Sequence, residues 1–208
     1  MKKIIALAAL AAISVTASAA TNLIVDGSFE SISQASGTWN TYNTVPGWFV
    51  TQDNFFPSSH GLEIRNNVAG TAENGHNFIE LDGYENDRIT TGFATTIGKT
   101  YEVSFWYANR DGVAAASEGF DATVLSGGVT NASLVGNAAT SGWIEKQMYF
   151  TANSAFTIFS IAATGTSDGY GTSFDNFSAI AVPEPATMGL FAAGLAVLGL
   201  SARRRRQQ

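Results

Sequence analysis

From Thr21 to Val182 the apolar residues come in short runs broken by polar ones, and no stretch sustains a 3.6-residue apolar period. The sharpest alternation is Thr100–Ala108, where Tyr101, Val103, Phe105 and Tyr107 fall on one side of an extended chain and Glu102, Ser104 and Trp106 on the other. The first side faces a core, and Trp106 stands on the second. The same reasoning predicts strands at residues 23–25, 62–64, 77–81, 89–96, 122–125, 143–151, 155–162 and 173–180. Turn signals separate them: Pro46-Gly47, Asn74-Gly75, Asp82-Gly83, Asp111-Gly112, Gly127-Gly128 and Asp168-Gly169. About nine short strands at this spacing predict an all-β domain, an antiparallel β-sandwich of the jelly-roll kind. The alanine-rich stretch 113–118 suits either a single helical turn or a loop.

The two ends follow different patterns. Met1, Lys2 and Lys3 precede an apolar run over residues 4–15 and the small residues Ala17, Ser18, Ala19 and Ala20. This is the pattern of a secretory signal peptide over residues 1–20, a substrate for signal peptidase. Its apolar run is shorter than the roughly 20 residues that span a bilayer. At the other end Val182, Pro183, Glu184 and Pro185 introduce an apolar run over 186–202, followed by Arg203, Arg204, Arg205 and Arg206. The prolines keep the junction extended. The run is at the lower limit of length for a single membrane helix, and four arginines resist translocation, which leaves them cytoplasmic and the preceding domain outside.

This tripartite tail, residues 182–208, resembles the PEP-CTERM sorting signal. The resemblance implies an exosortase partner, a membrane-embedded cysteine protease that recognises the Pro-Glu-Pro motif. It also implies a transient inner-membrane intermediate and a final extracellular or cell-surface location, in a Gram-negative bacterium that makes exopolysaccharide.

Removing both ends leaves one domain at 21–181 and changes its charge. Six of the 11 basic residues and one of the 17 acids lie in the ends, so the part from Thr21 to Val182 keeps five basic residues against 16 acids, a net charge of −11. Nucleic acid is therefore not an expected partner, whereas divalent cations and neutral sugars are compatible. The absence of cysteine excludes a cysteine nucleophile and cysteine-bound zinc.

Three motifs resemble galactose-binding-like jelly rolls, a group that includes many carbohydrate-binding modules. They are the opening residues 22–30, Pro46-Gly47-Trp48 with a tryptophan expected to be buried, and Phe174-Asp175-Asn176-Phe177 as the last strand. The resemblance implies a structural calcium site at Glu30 and Asp175. Two carboxylates fall short of the six to eight oxygens calcium takes, so the same pair can equally serve to hydrogen-bond turn backbone.

Sugar rings pack on exposed aromatic faces while their hydroxyls need carboxylates, amides or arginine. Trp106 and Tyr84 are the aromatics expected at a ligand site, with Glu80, Asp82, Arg88 and Arg110 as polar partners. No catalytic residue is assigned. Gly165-Thr166-Ser167-Asp168-Gly169 has the G-x-S-x-G form, but a nucleophile elbow needs a following helix and a later histidine, and the chain's histidines, His60 and His76, come earlier. The expected function is a non-catalytic polysaccharide-binding or matrix protein. The alternatives are a glycan hydrolase or lyase using a carboxylate such as Glu80, and an adhesive role without sugar binding.

Overall fold

The computed structural model describes residues 21–52, 60–136 and 142–182, together with Gly189. Residues 1–20, Pro183, Glu184, Pro185, the remainder of the apolar run and Arg203, Arg204, Arg205 and Arg206 lie outside the described residues. Among the described residues no helix is long and apolar enough to cross a membrane.

The described residues form eleven strands: β1 Thr38–Tyr42, β2 Phe49–Gln52, β3 Leu62–Asn66, β4 Phe78–Glu80, β5 Asp87–Ala94, β6 Thr100–Ala108, β7 Phe120–Ser126, β8 Val129–Gly136, β9 Ile144–Thr151, β10 Phe156–Ala163 and β11 Ser173–Ala181. They pair antiparallel into a six-stranded sheet, β1-β3-β4-β11-β6-β9, and a five-stranded one, β2-β5-β10-β7-β8. The molecule is the predicted all-β antiparallel sandwich.

The alternation in β6 puts Tyr101, Val103, Phe105 and Tyr107 into the core, where they meet Phe120 and Val124 of β7 and Phe159 and Ile161 of β10. Phe105 lies at the centre, edge-on to Phe120 at 5.4 Å and stacked with Phe177 at 5.7 Å between ring centroids. Each such ring removed from water contributes about 1.5–3 kcal/mol. Trp48 is buried as expected, between Phe29 at 5.5 Å and Phe177 at 5.0 Å.

The strand expected at 23–25 does not form; residues 25–28 are turn. The Asn22 side chain accepts the N–H groups of Ile24 and Ala179, at 3.0 and 2.9 Å, in place of a strand ladder. Asp26 then turns into the left-handed region at φ 51°, with its carboxylate accepting the Ser31 N–H at 3.0 Å. The segment still lies along β11, because the Leu23 N–H donates to the Ala179 carbonyl and the Phe177 N–H to the Gly27 carbonyl. Strands β1, β2 and β8 were not expected from the alternation. The stretch at 113–118 resolves into a short 3₁₀ turn over Ala115–Ser117.

Candidate functional site

In β3, Leu62 and Ile64 enter the core, so Glu63 and Arg65 point to the outer face of the six-stranded sheet. Register places Trp39 of β1 beside Arg65, and Glu63 beside Glu80 of β4. Two like charges directly opposite each other are unfavourable, and Arg65 resolves the conflict by forming ion pairs with both Glu63 and Glu80. Arg110, from the loop after β6, adds a contact from its Nη1 to Glu80 Oε1 at 3.3 Å. The result is an alternating chain of charge, Glu63, Arg65, Glu80 and Arg110, across the sheet. Glu80 has a fully buried side chain. Burial pushes its carboxyl up to about 7, against the pull of Arg65 and Arg110.

A cleft of about 420 Å³ opens above this floor, lined by Trp39, Glu63, Arg65, Tyr84, Arg110, Asp168 and Tyr170 among others. Three of its rings, Trp39, Tyr84 and Tyr170, are each about half exposed, at 48%, 54% and 50%. Tyr84 is braced by His60, stacked at 4.5 Å. Tyr170 lies under the Arg110 guanidinium, 4.7 Å from the ring centroid, a contact that orients ring and charge together.

The walls are held by buried acids. Asp82 is wholly buried and accepts the Asp168 N–H at 3.1 Å, fixing the turn that carries Tyr170. Desolvation raises its pKa. Glu118 accepts the Arg110 N–H at 2.9 Å and the Thr172 hydroxyl at 2.8 Å, fixing the opposite wall, and burial raises its pKa as well. The Gly-x-Ser-x-Gly segment is part of this wall: the Ser167 hydroxyl accepts the Asn86 N–H at 3.0 Å, with no helix after it.

The expected site residues separate into groups. Tyr84 and Arg110 line the cleft, Glu80 lies in its floor and Asp82 supports its wall. Trp106 sits on the outer face of β6 beside Asp175 and Glu145, away from the lining. Arg88 belongs to β5 in the other sheet, its Nη1 3.4 Å from the Ser160 hydroxyl. Trp39, Arg65, Glu63 and Tyr170 were not anticipated. Glu63 lies in the predicted strand 62–64 and Arg65 directly after it, where β3 continues to Asn66, and charges alternating with Leu62 and Ile64 were a readable signal. A second cleft of about 310 Å³ adjoins on the same sheet, lined by Phe78, Ala108, Trp143 and Ser173 among others. Trp143 stands edge-on to Phe78 at 6.0 Å and donates its indole N–H to the Thr71 carbonyl at 3.0 Å.

Glu30 and Asp175 converge on one loop, residues 67–77. Glu30 Oε1 accepts the N–H groups of His76 and Asn77, each at 2.7 Å. Asp175 Oδ2 accepts those of Glu73 and Asn74, each at 2.8 Å, and its Oδ1 accepts the Asn176 N–H at 2.6 Å. These contacts are with positive ends of backbone dipoles, where an ion cage would place other oxygens. Among the described residues no group of three or more His, Asp or Glu side chains could hold a metal ion. The geometry fits a loop anchor.

The two-sheet antiparallel sandwich is similar in fold to solved carbohydrate-binding modules. The structure of TmCBM61 in complex with β-1,4-galactotriose superposes with a TM-score of 0.54 and 17% identity, covering 78% of this chain and 99% of that one. A family 16 carbohydrate-binding module superposes with a TM-score of 0.49 and 21% identity, covering 76% of this chain and 99% of that one. At such identity the likeness is one of fold. No curated protein matches the sequence. Residues 181–206 match the PEP-CTERM protein-sorting motif, which marks the chain as a secreted or cell-surface protein of a Gram-negative bacterium.

Proposed function

We propose that the chain is an exported polysaccharide-binding protein and that a sugar chain occupies the cleft above Glu63, Arg65 and Arg110. The observation that supports this most is the set of three half-exposed rings, Trp39, Tyr84 and Tyr170, around a charged floor. Aromatic faces of that kind pack against sugar C–H faces, and the guanidinium and carboxylate edges match hydroxyls. The ligand proposed is the host's own exopolysaccharide. A pull-down with the full chain in a non-glycosidic detergent tests this: wild type is retained on the polysaccharide, and Trp39→Ala lowers retention roughly tenfold, in line with losing one stacking ring. Failure of any polysaccharide to retain the wild type leaves the adhesive role without sugar binding. The same sample bears on a hydrolase or lyase. Glu80 and Asp82 are buried and engaged by arginine and backbone, which supports binding without turnover, and release of reducing or unsaturated ends would contradict it.

Exosortase is the proposed processing partner. Val182 makes the last described backbone hydrogen bond, its N–H to the Thr100 carbonyl at 2.9 Å, so the Val182 to Pro185 junction begins directly beyond the sandwich. Calcium at Glu30 and Asp175 stays a proposal for direct titration, since an ion there would have to displace four loop N–H groups.

A further inference from the structure

The chain leaves the sandwich at the pole opposite the cleft. β11 begins at Ser173, paired with Glu80 and Ala108 by the cleft floor, and ends at Ala181, paired with Tyr101. Eight steps of about 3.3 Å carry it about 26 Å across the molecule. Three turns are joined around this exit. The Gly98 N–H donates to the Ala152 carbonyl at 2.8 Å, and the Thr95 N–H to the Ala155 carbonyl at 2.9 Å. The buried Ser126 hydroxyl accepts the N–H groups of Asn153 and Ser154, at 2.9 and 3.1 Å. From these turns Ile97 and Val129 project into solvent, 67% and 54% exposed, while Phe156, at the start of β10, lays its ring back over Gly92 of β5. Residues 95–100, 126–130 and 151–156 hold one charged side chain, Lys99, and no acid.

We propose that this pole is a lipid-docking surface: while the tail is in the bilayer, Ile97 and Val129 rest in the headgroup layer and the aromatic cleft faces away. The length of the junction supports it. Only residues 182–185 separate the last strand from the apolar run, and four residues reach at most about 14 Å. The pole therefore stays within that distance of the point where the run enters lipid. Electrostatics select the same face. An anionic leaflet repels a domain of net charge −11, the repulsion acts within about a Debye length, and the three acid-free turns with their apolar tips are the part that can approach.

The chain contains no cysteine, so single-cysteine fluorescent labels report one position at a time. In full chain reconstituted into vesicles of phosphatidylethanolamine and phosphatidylglycerol, nitroxide at the headgroup level should quench a label at Ile97→Cys several-fold more than one at Tyr84→Cys. Adding Ile97→Asp should reduce quenching of a label at Val129→Cys to the Tyr84→Cys level, which separates lipid docking from mere tethering. Equal quenching at the two poles, quenching at neither, or a Val129→Cys signal indifferent to Ile97→Asp overturns the proposal.

Discussion

Three backbone N–H groups, those of Glu73, Asn74 and Asn176, end on the Asp175 carboxylate, and its side chain is wholly buried. Removing a buried acceptor leaves its donors without partners, at a cost of about 1–3 kcal/mol for a group of this kind. Asp175→Ala should lower unfolding free energy by about 3 kcal/mol in denaturant titration, while Asp175→Asn, which keeps one acceptor oxygen, loses less. Burial pushes the Asp175 carboxyl up to about 7, as it does Glu80. The sign follows from proton counting. Between the ordinary carboxylate range near 4 and about 7, the folded state holds more protons than the unfolded one, so stability falls as pH rises through that window. Thermal melts from pH 4 to 8 should show the midpoint declining to near pH 7 and then levelling, apart from the effect of net charge. A midpoint that climbs over the same range would contradict the raised values. Calcium at Glu30 and Asp175 has a direct test in the same melts: a rise in melting temperature with calcium shows that an ion displaces the loop donors, and no shift with calcium or chelator leaves the pair as a loop anchor.

The strands legible in the sequence were those with one face in the core. β6 is the clearest, with four buried residues alternating along it, and β9 is readable because Met148 and Phe150 alternate inward. β9 is an edge strand as well, so edge position alone hides nothing; β1, β2 and β8 escaped because none of their described residues is buried. In β1 no residue is fully buried, and Thr38, Trp39 and Asn40 are exposed, so burial imprints no period on them. The same cause hid half of the cleft. Trp39 sits on that edge strand, and Tyr170 sits in a loop positioned by Asp82 from 86 residues away in sequence, a contact that only topology creates. Arg88 was misplaced for a related reason: alternation gives a side chain its face but not its sheet. The opening segment depends on close approach, since a Cβ on Gly27 would stand 2.0 Å from the Phe177 carbonyl oxygen. Gly27→Ala should therefore detach residues 22–30 from β11 and cost about 2 kcal/mol or more. Hydrogen exchange should show the Leu23 and Phe177 amides losing protection while those between β7 and β10 keep it.

At the scale of the molecule, the sandwich separates two tasks by its length. One pole carries the exit toward the sorting motif at 181–206 and three acid-free turns. The other carries the charged floor and its aromatic rim. The domain is strongly acidic, and within the cleft that balance is offset by Arg65 and Arg110, two of the domain's five basic residues. Such a site suits a hydroxyl-rich chain that needs both donors and acceptors. Sugar binding by this molecule would take place in that cleft. Calorimetric titration of the full chain with the producer's exopolysaccharide tests it most directly, using wild type beside the Trp39→Ala/Tyr170→Ala variant. The predicted result is saturable binding by wild type and a loss of roughly a hundredfold in the variant, whose melting temperature stays within a few degrees of wild type, as two half-exposed rings imply. Equal affinity in the two proteins would contradict the assignment of the cleft.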